Sequence, residues 1–257
     1  MLFRSNPYSK NMSSSSNPLD DSVSQNSLKK DLKGRFIVFE GIDGSGKTTQ
    51  LERAYDWLGN QLPTLFPNQK IALLKTREPG ATELGKTLRS LLLQPHWQTV
   101  PPVPRAELLM YAADRAQHVQ QVLKPHLDQG GWILCDRHLD STVAYQGYGR
   151  GLDLGLIQTL NGIATAGLVS DLTLWIDVPV DIAQSRLHQR YQAQRSSTTG
   201  DRMETNDLAF HQRVYQGFAT LAAQEPQRIV RVDGHRDPET IALEVQQILS
   251  DRFRLSV

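Results

Sequence analysis

The residues best equipped for chemistry form one run, Gly41-Ile42-Asp43-Gly44-Ser45-Gly46-Lys47-Thr48, which satisfies the spacing G-x-x-x-x-G-K-[ST]. Glycines at that spacing let backbone N–H groups turn inward around phosphate oxygens, and the helix N-terminus that should follow adds positive potential. Lys47 is then placed to reach the β- and γ-phosphates, and the Thr48 hydroxyl to ligate Mg²⁺. The loop by itself implies nucleotide binding. An Asn-Lys-x-Asp element, by which a guanine nucleotide would be read, does not occur.

A second set of residues could hold another phosphate. Thr76-Arg77-Glu78-Pro79-Gly80 and Asp136-Arg137-His138 each follow a short apolar run, so Arg77 and Arg137 leave the carboxyl ends of two candidate strands, where open α/β sheets bind ligands. A guanidinium there can grip a phosphate with two N–H groups, although a surface ion pair is the plainer use of either arginine. Asp136, an acid at a strand end opposite the phosphate loop, is the candidate second Mg²⁺ ligand. Between these segments, Tyr111 and Arg115 are four residues apart in a stretch free of Gly and Pro. On a helix they share a face, so a ring able to stack on a base stands one turn from a guanidinium able to donate to its edge. Thymine O4 accepts where cytosine N4 donates, so such a donor would favour thymine. The same spacing also suits a core tyrosine beside an arginine paired with a carboxylate.

The elements that must position these groups are legible as apolar runs. Phe36–Phe39, Ile71–Leu74, Trp132–Cys135, Leu172–Ile176 and Ile229–Val232 read as strands, and a helix is expected from Lys47 to about Leu58. Nearly continuous apolar strands alternating with helical segments imply a parallel sheet covered on both faces, an α/β class. At 257 residues with 39% hydrophobic content, one domain suffices. Residues 1–33, rich in Ser, Asn, Asp and Lys, read as a disordered polar tail with no secretory or transit signal, and Met12 could be the true start. With 28 Lys+Arg against 27 Asp+Glu, the chain has no general attraction for nucleic acid or anionic membrane. No apolar run approaches the roughly 20 residues of a membrane span. The single cysteine, Cys135, excludes an internal disulfide and reads as a buried strand residue in a reducing, cytoplasmic setting. None of the 7 histidines shows metal-ligand spacing.

Taken in order, the phosphate loop, Arg77-Glu78-Pro79-Gly80, Tyr111-x-x-x-Arg115, Asp136-Arg137-His138 with Asp140-Ser141-Thr142-Val143-Ala144-Tyr145-Gln146-Gly147, and Leu174-Trp175-Ile176-Asp177-Val178 resemble the bacterial-type thymidylate kinases over about residues 35–250. The resemblance implies a P-loop three-layer α/β/α fold with a short mobile lid at about residues 186–204. It implies transfer of the γ-phosphoryl group of ATP to dTMP, giving dTDP, with Mg²⁺ and in a homodimer. It implies that Gly41 to Thr48 bind ATP, that Tyr111 stacks on thymine, that Arg115 donates to O4, and that Arg77 and Arg137 clamp the dTMP phosphate. Asp43 matches a loop carboxylate turned toward the acceptor and its arginine, Tyr145 a residue crowding the sugar C2′ position, Thr142 a small polar residue that touches the base, and Gln146 a neighbouring acceptor-site residue. Beside Lys47 and Arg137, the charge for the transition state is expected from lid arginines, because Ile42-Asp43-Gly44-Ser45 holds none. Arg186, Arg190, Arg195 and Arg202 are the candidates, with Arg186 and Arg190 at helical spacing. Ala81 and Ser170 replace a glycine and a proline usual in the family, and Arg195–Gly200 lengthens the lid. A kinase for another base, and a nucleotide-binding protein without turnover, remain alternatives at this point.

Overall fold

The computed structural model describes residues 33–93, 101–193, 202–204 and 206–255. Residues 1–32 of the polar tail, and Arg195 with most of the loop between Arg190 and Arg202, lie outside the described residues.

Five parallel strands, β1 (Arg35–Glu40), β2 (Leu73–Arg77), β3 (Trp132–Asp136), β4 (Leu172–Asp177) and β5 (Ile229–Asp233), form one sheet in the order β2-β3-β1-β4-β5. Parallel neighbours need crossovers, which here are helical: α1 (Lys47–Leu65) leads to β2, and α7 (Val180–Ala193) with α8 (Leu208–Gln224) leads to β5. Between β2 and β3 run α2 (Glu83–Leu93), α3 (Pro104–His118), a π-helical turn (Val119–Leu123) and α4 (Lys124–Asp128). Between β3 and β4 run α5 (Leu139–Thr142), a π-helical segment (Val143–Gly149) and α6 (Leu154–Thr165), and α9 (Pro238–Phe253) follows β5.

Alternate residues of β1 feed opposite layers, as a strand's period of two requires. Ile37 and Phe39 pack with Leu51, Leu58, Val245 and Leu249 of α1 and α9, whereas Phe36 and Val38 pack with Val119 and Leu123 on the other face. The chain passes from β1 to β2 on one flank and later crosses to β4 on the other. The carboxyl end of β1 therefore sits at a switch point, where the crevice opens.

Two boundaries differ from the sequence reading. Helix α1 continues past Gly59 to Leu65, because Leu62 adds another buried turn on the stripe of Leu51, Ala54 and Leu58. That contact outweighs a helical glycine's cost of about 1 kcal/mol. Strand β2 starts at Leu73, two residues after the apolar run begins, because pairing Leu73 with Trp132 and Arg77 with Asp136 sets its register.

Candidate active site

Glu40 ends β1 and the phosphate loop turns directly into α1. Gly44 has φ 83° and no room for a side chain: a Cβ there would lie 2.2 Å from the Ala183 carbonyl oxygen of α7. Gly46 has open space but φ 91°, the left-handed conformation that starts α1 and that glycine adopts without steric cost. Ser45 N donates to Ile42 O at 3.1 Å, closing the turn. Lys47 is 7% exposed, with Nζ 3.2 Å from Asp43 Oδ1.

A cavity of about 750 Å³ opens over this loop. It is lined by Asp43, Gly44, Gly46, Lys47 and Thr48 from the phosphate loop, and by Arg77, Tyr111, Arg115, Arg137, Thr142, Tyr145 and Gln146 from the acceptor segments. Gly41, Ile42 and Ser45 shape the loop from beneath instead: Ile42 packs in the core, and Ser45 is buried.

Asp43 and Arg137 join the two halves. Arg137 Nη2 donates to Asp43 Oδ1 at 2.5 Å and to the Tyr145 hydroxyl at 3.1 Å, Nη1 donates to Ser141 Oγ at 3.0 Å, and the guanidinium lies 4.9 Å from the Tyr145 ring centre. The Tyr145 hydroxyl donates to Asp43 Oδ2 at 3.0 Å. Burial alone would oppose ionisation of Asp43, yet Arg137 and Lys47 hold its carboxyl far below the usual carboxylate range. Arg137 also has φ 71°, an uncommon conformation for a residue with a Cβ, and its neighbours hold it there.

Arg115 is 2% exposed and held on three sides: Nε donates to Glu78 Oε2 at 2.8 Å, Nη1 to Asn161 Oδ1 at 3.0 Å and Nη2 to His138 O at 2.9 Å. Of its five N–H groups, two remain for a ligand. The carboxylate-paired arginine and the cavity-lining arginine are therefore the same residue. Glu78 also faces Nδ1 of His118 at 2.9 Å and of His138 at 3.0 Å. Its burial would favour the neutral acid, but His138 and Arg115 hold its pKa well below the ordinary value. Arg77 is the opposite case: exposed at the end of β2, its guanidinium pairs with no described residue. Tyr111 is half-buried on the same helix face as Arg115.

Thr48 Oγ1 donates to Asp136 Oδ2 at 2.7 Å, while Asp136 Oδ1 is buried without a partner among the described residues. An orphaned carboxylate oxygen beside a hydroxyl fits Mg²⁺, which takes one or two protein oxygens and completes its shell with phosphates and water. Among the described residues no group of three acidic, His or Cys side chains could hold a metal alone.

Arg186 and Arg190 line the cavity from α7. Arg186 Nη1 donates to Gly234 O at 3.0 Å, and Arg190 Nη2 to Glu204 Oε1 at 3.1 Å. Arg202 lies outside the cavity wall, where Nη2 donates to Glu107 and Nε donates to Leu92 O at 3.0 Å. Glu107 is a buried carboxylate 95 residues earlier, and it pairs with Arg202.

Several residues here escape the sequence reading. Glu40, fully buried, accepts from His138 N at 2.8 Å, Ser141 N at 3.1 Å and Ser141 Oγ at 2.5 Å, fixing the segment behind Arg137. Burial pushes its pKa up to about 7, with Arg137 opposing. Arg89 lines the cavity from α2 and donates to Pro79 O at 3.0 Å. Glu107 is four residues before Tyr111 and eight before Arg115, so the helical repeat could have marked it as part of the same face.

A phosphate loop at the switch point of a parallel sheet, facing a cationic acceptor pocket across one cavity, defines a P-loop kinase that phosphorylates a small phosphorylated acceptor. The comparisons narrow this. The family model described as thymidylate kinase matches residues 39–245. Thymidylate kinase of Acaryochloris marina is 51% identical over 229 residues, covering 87% of this chain and 98% of that protein. Thymidylate kinase of Trichormus variabilis is 52% identical over 224 residues, covering 87% and 99%. The crystal structure of thymidylate kinase from Ehrlichia chaffeensis superposes with a TM-score of 0.63 at 34% identity, covering 84% of this chain and 98% of that one. The chain belongs to the thymidylate kinase family.

Proposed function

We propose that the chain transfers the γ-phosphoryl group of ATP to dTMP, giving dTDP, with both substrates in the one cavity and with the named residues in the following roles. The observation that carries this assignment of roles is the Asp43–Arg137 pair, which ties the phosphate loop to the acceptor pocket at 2.5 Å. ATP lies with its phosphates over Gly44, Gly46 and Lys47, and the dTMP phosphate lies against Arg77 and Arg137, so the attacking oxygen and the γ-phosphorus face each other. Tyr111 stacks on the base, and the two spare N–H groups of Arg115 meet its O4. Tyr145, pinned by Arg137 and Asp43, fills the sugar's flank.

Thr48 and Asp136 hold Mg²⁺, which neutralises phosphate charge when bound. Arg186 and Arg190 supply the mobile positive charge as the lid closes over the equatorial oxygens. Arg202 anchors the lid's far end through Glu107. The protein is expected to work in the cytoplasm, and among the described residues no helix is long and apolar enough to cross a membrane. A homodimer would cover the exposed apolar residues Leu109 of α3 and Ile163 of α6, two helices that pack together.

A coupled ADP-release assay over dTMP, dUMP, dCMP, dAMP and dGMP, with and without a chelator, tests the reading. dTMP should be best, dUMP weaker for want of the methyl group, and the chelator should abolish turnover. Preference for dCMP would overturn the role of Arg115.

A further inference from the structure

Glu107 is fully buried on α3, and three side chains converge on its carboxylate. Gln146 Nε2 donates to Oε1 at 2.8 Å, Arg150 Nε and Nη2 approach the two oxygens at 3.3 Å each, and Arg202 Nη2 bonds Oε2. Of the three, only Gln146 lines the cavity.

An ionised carboxylate has no proton to donate, so it accepts at both oxygens. A primary amide beside it has one stable orientation, with NH₂ toward the acid. The other end of the amide, Gln146 Oε1, receives no hydrogen bond from a described residue and is left to the cavity. We propose that Glu107 is a positioning residue for base choice: it locks the Gln146 amide so that a carbonyl acceptor, not an amide donor, meets the acceptor base. A thymine or uracil ring carries a proton on N3 and can donate to that carbonyl. Cytosine presents a bare N3 lone pair, which the carbonyl repels.

Two features keep the lock in place at neutral pH. Burial would push the Glu107 carboxyl toward its neutral form, but Arg150, Gln146 and Arg202 hold its pKa below the ordinary carboxylate value. It therefore does not acquire the proton that would let the amide turn. Arg150 is itself fixed by Asn206 at 2.7 Å and by the Phe210 ring at 4.6 Å, so Glu107 has little freedom to rotate away.

The inference rests on the acceptor-site reading above, and its test separates the two. The measured quantity is the ratio of kcat/KM for dTMP to that for dCMP. Failure of the parent enzyme to turn over dTMP would defeat the acceptor-site reading itself. In Glu107→Gln the new amide can donate to Gln146 Oε1, so the Gln146 amide is free to turn and the ratio should fall at least tenfold, mainly through KM. The exchanged double variant Glu107→Gln with Gln146→Glu restores an acceptor-only group facing the cavity. It should recover most of the lost ratio even if overall kcat/KM stays low, which a merely structural role for Glu107 would not produce. It also carries the test if the single variant melts below the assay temperature, because one acid and one amide still face each other. A Glu107→Gln ratio within twofold of the parent would overturn the proposal. So would no recovery in the double variant.

Discussion

Glu40 offers a measurable consequence of burial. It is fully enclosed, and its pKa is raised from 4.5 to about 7, chiefly by burial and against the pull of Arg137. The folded protein therefore binds a proton at Glu40 that the unfolded chain has lost. The stability linked to that proton is fully present below the unfolded value and is lost as pH rises through the folded one. Integrated between pH 6 and pH 8, the loss is about 1.3 kcal/mol. For a domain of this size it corresponds to roughly 3 to 5 °C in Tm. Glu40→Gln cannot titrate, and its amide resembles the protonated acid while still accepting from His138 N and Ser141 N. Substrate-free melts of both proteins across that pH range, followed by circular dichroism, give the comparison. The parent's Tm minus the variant's should fall by those few degrees from the acidic to the alkaline end. A difference that stays constant, or that grows with pH, would refute a buried Glu40 with a raised pKa.

Other outcomes follow from the same geometry. Alanine at Arg186 or Arg190 should lower kcat by about 10³ to 10⁵ with dTMP binding little changed, whereas Arg202→Ala should act mainly through lid anchoring and cost less; single and combined variants all within tenfold of the parent kcat would defeat the lid mechanism. Arg115→Ala should raise KM for dTMP more than it lowers kcat and, by leaving the buried Glu78 carboxylate short of a partner, should destabilise the fold by about 3 to 5 kcal/mol in denaturant titrations. Deleting residues 1–30 should leave Tm and turnover essentially unchanged, since a polar segment of that composition adds little to a core; a Tm lowered by many degrees would show that it packs on the domain.

What was readable without coordinates was whatever physics confines to neighbouring residues. Gly41 to Thr48 is one contiguous backbone turn, so its glycines, lysine and threonine announce a phosphate site by spacing alone. The 3.6-residue repeat puts Tyr111 and Arg115 on one face whatever surrounds the helix, and the apolar runs are most continuous for β1, β3 and β4, the inner parallel strands that are buried on both faces. Tertiary structure decided which charges meet. Glu78 gathers Arg115, His118 and His138 from 37 to 60 residues away, and Arg202 turns from the cavity toward Glu107 across 95 residues. The strand order and the register of β2 were likewise set by packing. The physical reason is that a buried charge must find a counter-charge within a few ångströms, and which one it finds depends on how the layers stack. No local spacing carries that information, so the same arginine reads equally well as a ligand, an ion pair or an anchor until its neighbours are known.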